Sequence, residues 1–278
     1  MRVITNSNIS EMTELQAIII GIIEGLTEFL PISSTGHMIL ASAALKIGDN
    51  EFVKTFEVAI QIGAIMAIVL LYARKFLTTF KLYPKLIVAV IPALAIGFFA
   101  HSFIKAYLFN AIVVSTTLII GGVILILIDK WLVGKESELE QVEDISYKNA
   151  FQIGLAQCVS MIPGVSRAAA TIIGGVFNGF NKKQATEFSF LLAVPTMVAA
   201  TGYDLLKTIK EGVVVIGDQE IKLLIIGLIV AFIFAIIAVK LFLKLIQNYG
   251  FKSFGYYRIA IGVAFLVWYF LGGVMPSV

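Results

Sequence analysis

Charged residues are scarce in this sequence. Only 14% of the 278 residues are Asp, Glu, Lys or Arg, whereas an average soluble domain has about 25%. The single cysteine, Cys158, excludes a framework of disulfides and a metal centre built on thiolates. Two histidines, His37 and His101, are too few for a histidine-rich metal site. The formal net charge of +3 is too small to indicate a nucleic-acid partner.

Apolar residues dominate instead. They make up 59% of the chain, and the mean hydropathy is +0.96, which indicates that a lipid bilayer is the solvent. A helix that crosses the hydrocarbon core needs about 20 mostly apolar residues. We predict transmembrane helices in six stretches, of which the second is short for a span: 53–71, 86–100, 108–128, 188–206, 221–246 and 259–274.

Two further apolar stretches, 15–45 and 150–180, are interrupted by polar residues. The first is broken from Pro31 onward and the second from Pro163 onward, so that each half is too short to cross the bilayer. Irregular backbone at membrane depth is tolerated only where it is buried in protein or lines a wet cavity. We therefore predict two re-entrant helical hairpins, each with a turn inside the membrane.

The two interrupted stretches are similar to each other. With one deletion before the prolines, the aligned pairs are Gly21 with Gly154, Glu24 with Gln157, Pro31 with Pro163 and Ser34 with Ser166. The single membrane domain, residues 1–278, therefore divides into two repeats at about 10–130 and 145–275. Each repeat has one hairpin and three spans, and because three is odd we expect the second repeat to be inverted.

The basic residues indicate the orientation. Most of the 21 lysines and arginines fall in one set of loops, to which we assign Lys130, Lys182 and Arg258. Cytoplasmic loops carry the excess of basic residues, so this set is expected to be cytoplasmic. Both chain termini and the first hairpin then lie on the outer side of the membrane.

Three ionisable residues, Glu24, Glu28 and Arg167, lie within the interrupted stretches. Glu24 and Glu28 are four residues apart and share one helix face. A charge at bilayer depth costs about 2.5–3.5 kcal/mol on insertion scales, so these residues need partners. They could pair with one another and lock the repeats together, or they could form a buried functional site. Intramembrane ionisable residues are usually functional, which favours a site.

Hydroxyl groups near these charges indicate a phosphate site. The hydroxyl residues in the two interruptions are Ser33, Ser34, Thr35, Ser166 and Thr171. Several of them stand where a new helix is expected to begin, and free N–H groups at a helix N-terminus attract anions. Arg167 adds a planar pair of donors that matches phosphate oxygens.

The carboxylates and His37 add to this chemistry. Glu24 and Glu28 would repel a phosphate unless a divalent cation such as Mg²⁺ lies between them. His37 is a candidate for proton transfer, or else a hydrogen-bonded histidine without a chemical role. Ser34 could be a nucleophile activated by His37 or a glutamate, or could serve only as a helix cap.

At these residues the sequence resembles a known family. The segment EGLTEFLPISSTGHM, residues 24–38, is similar to the first signature of the undecaprenyl-diphosphate phosphatases of the bacitracin-resistance type. The segment PGVSRAAAT, residues 163–171, is similar to the second signature, P-G-x-S-R-S-x-x-T, except that Ala168 replaces its second serine. The resemblance extends over essentially the whole chain.

The resemblance implies a multi-pass enzyme of the bacterial inner membrane, with its active site open to the outer, periplasmic side. Such an enzyme hydrolyses undecaprenyl diphosphate, a polyprenyl lipid, to undecaprenyl phosphate and inorganic phosphate. It thereby recycles the lipid carrier of peptidoglycan synthesis and confers bacitracin resistance. If the missing hydroxyl at Ala168 normally touches phosphate, this chain must do without it.

The same resemblance assigns roles to the residues. The residues expected to be catalytic are Glu24, Glu28, Ser34, His37 and Arg167. Those expected to bind the substrate are Ser33, Thr35, Ser166 and Thr171. Glu24 and Glu28 would also hold the divalent cation, Mg²⁺ or Ca²⁺. Either Ser34 or a water positioned by it would attack the terminal phosphorus, with His37 or Glu28 moving the proton.

A protein of another class could share this architecture. Inverted repeats with interrupted helices are typical of secondary transporters, so a flippase for a polyprenyl phosphate is the alternative. The carboxylate pair and the histidine favour an enzyme, because a simple anion carrier has little use for two acids beside its ligand. The oligomeric state is open at this point.

Overall fold

The computed structural model describes residues 12–108, 110–131, 139–212, 214 and 216–273, without the side chains of 101–107, and this part of the chain contains no β-strand. Its α-helices are α1 (Glu14–Thr27), α2 (Ser34–Ala44), α3 (Glu51–Leu71), α4 (Ala73–Thr78), α5 (Tyr83–Tyr107), α6 (Ala111–Trp131), α7 (Tyr147–Cys158), α8 (Arg167–Phe177), α9 (Lys182–Glu211), α10 (Asp218–Tyr249) and α11 (Lys252–Phe270). The prediction of an all-helical chain is confirmed for these residues.

Six helices in the described part, namely α3, α5, α6, α9, α10 and α11, are long and apolar enough to cross a membrane. They coincide with the six predicted stretches, which fits a multi-pass membrane protein. The stretch 86–100 looked short because the helix also includes polar residues, and α5 is 25 residues long. The helix α11 begins at Lys252, before the apolar stretch 259–274, whose last residue lies outside the described part.

Besides the six-residue helix α4, four of the described helices are too short to span the membrane. The helices α1, α2, α7 and α8 have 14, 11, 12 and 11 residues, and a rise of 1.5 Å per residue gives the longest only about 21 Å. The hydrocarbon core is about 30 Å thick. These helices are the halves of the two interrupted stretches, and α1 contacts α2 as α7 contacts α8.

The alignment of the two interruptions needs a correction. The offset from the start of α1 to that of α7, residue 14 to residue 147, equals the offset from the start of α2 to that of α8, residue 34 to residue 167. No deletion is therefore needed between these helices. Ser33 corresponds to Ser166, and Ser34 corresponds to Arg167.

Glycines allow the short helices to approach the long ones. A Cβ atom on Gly25 of α1 would lie 2.5 Å from the carbonyl oxygen of Ala231 in α10, and one on Gly154 of α7 would overlap the carbonyl oxygen of Ala89 in α5. Helices in a bilayer associate through such small residues, because van der Waals contact replaces the hydrophobic effect there. The helix α1 thus packs on α10, and α7 packs on α5.

The contact at Gly154 makes a prediction about stability. We expect Gly154→Ala to destabilise the protein by about 1–3 kcal/mol, because α7 and α5 must separate to admit the methyl group. The matched control is Gly202→Ala on α9, where an added Cβ would meet no atom within 4 Å. Because alanine favours a helix over glycine, the control should be unchanged or about 0.5–1 kcal/mol more stable. Thermal unfolding in detergent measures both, and equal melting temperatures would contradict the prediction.

Candidate active site

The two interruptions lie against each other. The Ser166 hydroxyl, just before α8, donates a hydrogen bond of 3.3 Å to the carbonyl oxygen of Leu30, just after α1. The Arg167 guanidinium forms an ion pair of 3.0 Å with Glu28. The fold therefore brings together residues that are more than a hundred positions apart in the sequence.

Glu28 is the centre of this contact. It terminates α1, where its N–H donates to the carbonyl oxygen of Glu24 at 3.0 Å. One carboxylate oxygen accepts a hydrogen bond of 3.0 Å from Arg167 Nη2, and the other accepts one of 2.5 Å from the Ser34 hydroxyl. Since Ser34 and Arg167 are the first residues of α2 and α8, Glu28 links the two helix starts.

Arg167 is held on several sides. Its Nη1 donates to the carbonyl oxygen of Ser189 at 3.3 Å, and its guanidinium lies 5.6 Å from the ring centre of Phe29. Its Nε is buried and has no hydrogen-bond partner among the described residues. A buried donor without a partner costs free energy, so an acceptor supplied by a bound molecule would stabilise this N–H.

Glu24 has buried acceptors without hydrogen-bond partners among the described residues, as Arg167 has a buried donor without one. Its side chain is fully buried, and neither carboxylate oxygen has a hydrogen-bond partner in the described part of the chain. A buried carboxylate needs a proton, a donor or a cation. No three His, Cys, Asp or Glu residues in the described ranges are grouped for a metal ion. Glu24 and Glu28 are the carboxylates of this site that could hold a cation.

Two serines cap the helices that start here. The Ser33 hydroxyl accepts a hydrogen bond of 3.4 Å from Gly36 N–H, and the Ser166 hydroxyl accepts one of 3.2 Å from Ala169 N–H. Ser33 has a φ of 72°, which is uncommon for a residue other than glycine and frequent at functional sites. Thr35, the second residue of α2, is half-buried.

His37 is oriented by two neighbours. Its Nδ1 lies 2.8 Å from the carbonyl oxygen of Ser33, which can only accept, so Nδ1 carries a proton. Its Nε2 lies 2.8 Å from the Tyr257 hydroxyl, and the two rings are stacked. Of the two proton acceptors considered for Ser34, the structure brings Glu28 into contact with it, while His37 contacts Ser33 and Tyr257. The sequence carried no signal for Tyr257.

Thr171 and position 168 lie behind the site. The fully buried Thr171 hydroxyl is 2.9 Å from the Arg167 carbonyl oxygen and 2.6 Å from the Ser189 hydroxyl. Thr171 thus supports the helix that bears Arg167. Ala168 is fully buried in the apolar core beside Ile172, so a serine at this position would have its hydroxyl among apolar side chains.

The loop position predicted for Arg258 is wrong. It was assigned to a cytoplasmic loop, but it lies inside α11 with only 1% of its surface exposed. Its guanidinium donates to four backbone carbonyl oxygens, two of which belong to the two interruptions. The sequence did not reveal this because an arginine that precedes an apolar run looks like a flanking loop residue.

Comparison with known proteins agrees with the signatures. The family model described as bacitracin resistance protein BacA matches residues 17–264. This chain belongs to that family. Among the family's relatives, a Bdellovibrio bacteriovorus protein named undecaprenyl-diphosphatase is 49% identical over 261 residues, which are 94% of this chain and 98% of the relative. Proteins of the same name from Flavobacterium johnsoniae and Aquifex aeolicus are each 46% identical over 259 residues, or 93% of this chain and 97% and 99% of theirs.

Proposed function

We propose that this protein is a membrane phosphatase that hydrolyses undecaprenyl diphosphate to undecaprenyl phosphate and inorganic phosphate, and thereby confers bacitracin resistance. The observation that carries the proposal is the contact of Ser34 and Arg167 with opposite oxygens of Glu28. A hydroxyl, a carboxylate and a guanidinium in that order provide a nucleophile, a proton acceptor and an anion-binding group. The relatives' names and the family membership support this substrate.

The unsatisfied groups of the site match such a substrate. Arg167 has a buried Nε–H without a partner in the described part, and Glu24 has two buried oxygens without one there. A diphosphate supplies acceptors for the N–H, and a divalent cation or a proton satisfies the carboxylate. The N–H groups at the starts of α2 and α8 add partial positive charge where the phosphates would bind.

Glu28 is the proton acceptor for Ser34 in the proposed reaction. As the Ser34 oxygen bonds to the terminal phosphorus, the bridging P–O bond breaks and undecaprenyl phosphate leaves with the electron pair. Glu28 takes the hydroxyl proton and returns it to the Ser34 oxygen when water cleaves the phosphoserine. Inorganic phosphate then leaves with the oxygen and both protons of the water, as H2PO4⁻. In the version in which water attacks directly, Glu28 takes the proton of that water, and Ser34 positions it.

Glu24 and Glu28 are the residues that would hold a divalent cation, Mg²⁺ or Ca²⁺, and such a cation would neutralise charge on the phosphate. Ser33, Thr35 and Ser166 are proposed to contact the phosphates, and Thr171 to support Arg167. His37 is proposed to move a proton once Tyr257 releases its Nε2.

We further propose that the two pairs of short helices are re-entrant hairpins within inverted repeats. The equal offsets of α1 and α7 and of α2 and α8 support a repeat. The packing of α1 on α10 and of α7 on α5 supports a two-fold relation between the repeats, because each short helix contacts the other repeat in the same way. With three spans in each repeat, an odd number, such a relation is an inversion. When Arg258 is left out, most basic residues still lie in the set of loops assigned to the cytoplasm. We therefore propose that the site faces the outer side of the bacterial inner membrane.

Purified protein in detergent tests the function directly. We expect it to release inorganic phosphate from undecaprenyl diphosphate, and we expect EDTA to reduce the rate at least tenfold, with recovery on addition of Mg²⁺ or Ca²⁺. Release that EDTA does not change would contradict the cation. Absence of release, with movement of undecaprenyl phosphate across liposome membranes, would instead favour the flippase. That alternative has only the interrupted helices in its support.

A further inference from the structure

Arg258 connects three separate parts of the protein. Its Nη1 donates to the carbonyl oxygen of Pro31 at 2.9 Å, and its Nη2 donates to that of Gly164 at 3.0 Å. Its Nη2 and Nε also donate to the carbonyl oxygens of Thr117 and Leu118 in α6, at 3.1 and 3.3 Å. One side chain of α11 thus binds α6 and both interruptions of the short helix pairs.

The two carbonyl groups in the interruptions occupy equivalent positions. Pro31 lies two residues before Ser33, the cap of α2, and Gly164 lies two residues before Ser166, the cap of α8. Arg258 therefore binds, in each turn, the carbonyl oxygen of the residue two positions before the cap of the following helix. This fixes the start of α2 relative to the start of α8.

The surroundings of Arg258 leave little freedom. A Cβ atom on Gly121 would overlap the guanidinium, and one on Gly164 would overlap the Thr117 hydroxyl. The same Thr117 hydroxyl donates to the carbonyl oxygen of Pro163 at 2.7 Å. None of the ion pairs between described residues includes Arg258, and the hydrogen bonds of its buried guanidinium in this part of the chain go to backbone carbonyl oxygens.

We propose that Arg258 is a positioning residue of the phosphatase site, which sets the spacing between the helix starts that carry Ser34 and Arg167. The kinetic part of this inference rests on the proposed function. Ser34 and Arg167 must meet one phosphate from two different segments, and a misplacement of about 1 Å can cost about 10²-fold in rate. Only a planar group with five N–H donors reaches carbonyl groups on three sides, whereas a lysine has three donors on one nitrogen.

Kinetics of purified variants test the proposal. We expect Arg258→Lys to lower kcat for phosphate release from undecaprenyl diphosphate about 10-fold and Arg258→Gln about 100-fold. KM should change by less than about threefold, because Arg258 does not contact the substrate. The matched control is Arg74→Gln on α4, an exposed arginine away from the site, which should leave both constants unchanged. A change confined to KM would overturn the positioning role.

A double-mutant cycle separates positioning from general destabilisation. If Arg258 acts by placing the Arg167 guanidinium, then Arg258→Gln should lower kcat less than threefold in an Arg167→Lys background, where the planar pair of donors to be placed is absent. A factor that stays near 100-fold in that background would overturn the proposal. All assays use the monodisperse fraction, well below its melting temperature, so that loss of folded protein does not lower kcat.

Amide hydrogen exchange in detergent tests the same link without any activity. We expect Arg258→Gln to increase exchange in residues 29–37 and 162–168 together, with Arg258→Lys intermediate, and Arg74→Gln to change neither segment. Unchanged exchange in both segments would contradict the link even if phosphate release is normal. If Arg258→Gln increases exchange but the unsubstituted protein releases no phosphate, the link would be supported and only the proposed function would be contradicted.

Discussion

Replacing Arg167 with alanine should lower kcat for phosphate release from undecaprenyl diphosphate by about 10³-fold or more, because phosphoryl transfer depends on charge stabilisation and an arginine can contribute 10³–10⁵-fold. Arg167→Lys should recover only part of this loss, since the ammonium group keeps the charge but cannot bind two oxygens in one plane. Arg167 also forms an ion pair of 3.0 Å with Glu28, so its loss leaves that carboxylate without its guanidinium partner. Steady-state phosphate release in detergent is the measurement.

The control for Arg167 is Arg74→Ala, in which an exposed arginine outside the site is removed. This variant should keep normal turnover. An Arg167→Ala protein that retains more than a tenth of the normal kcat would show that Arg167 only joins the two helix pairs. That outcome would favour the structural pairing that the sequence left open.

Replacing Glu28 with glutamine should also lower kcat by about 10³-fold. The amide cannot take the proton of Ser34, and a general base contributes about 10²–10⁴-fold. Glu28→Gln also removes the charge that faces Arg167. The matched control is Glu187→Gln, which removes a carboxylate that pairs with Lys75 at 2.7 Å. It should change turnover less than threefold.

The mechanism also predicts how the Glu28 and Ser34 effects combine. If Glu28 acts through Ser34, then Glu28→Gln should cost little more in a Ser34→Ala background, because residues that act as a unit are not additive. Two losses that multiply in full would contradict this pairing. They would indicate that Glu28 serves the cation or water and that Ser34 serves mainly as a phosphate contact.

Much of the fold could be predicted from the sequence because the bilayer restricts the choices. Backbone groups in lipid must be satisfied within the segment, so long apolar stretches become helices. The six stretches became α3, α5, α6, α9, α10 and α11. The ends of the helices were predicted less accurately, because segments with charged residues, such as Lys252–Arg258, extend the helix beyond the apolar stretch.

The candidate site was found for a related reason. Polar residues in an apolar stretch are costly, so each one draws attention to itself, and Glu28, Ser34 and Arg167 were all selected in this way. The sequence left open which of these groups contact one another. Both Glu28 and His37 were candidates to activate Ser34, and the tertiary structure places Glu28 against Ser34 and turns His37 toward Tyr257.

Arg258 shows most clearly what only the tertiary structure decided. Its four acceptors are backbone carbonyl oxygens, which every residue possesses and which leave no mark in the sequence. The sequence by itself determined the solvent, the helical class, the six apolar helices and the two interruptions, because hydrophobicity and chain length act locally. The folded chain decided which polar groups meet, because those contacts depend on how distant helices pack.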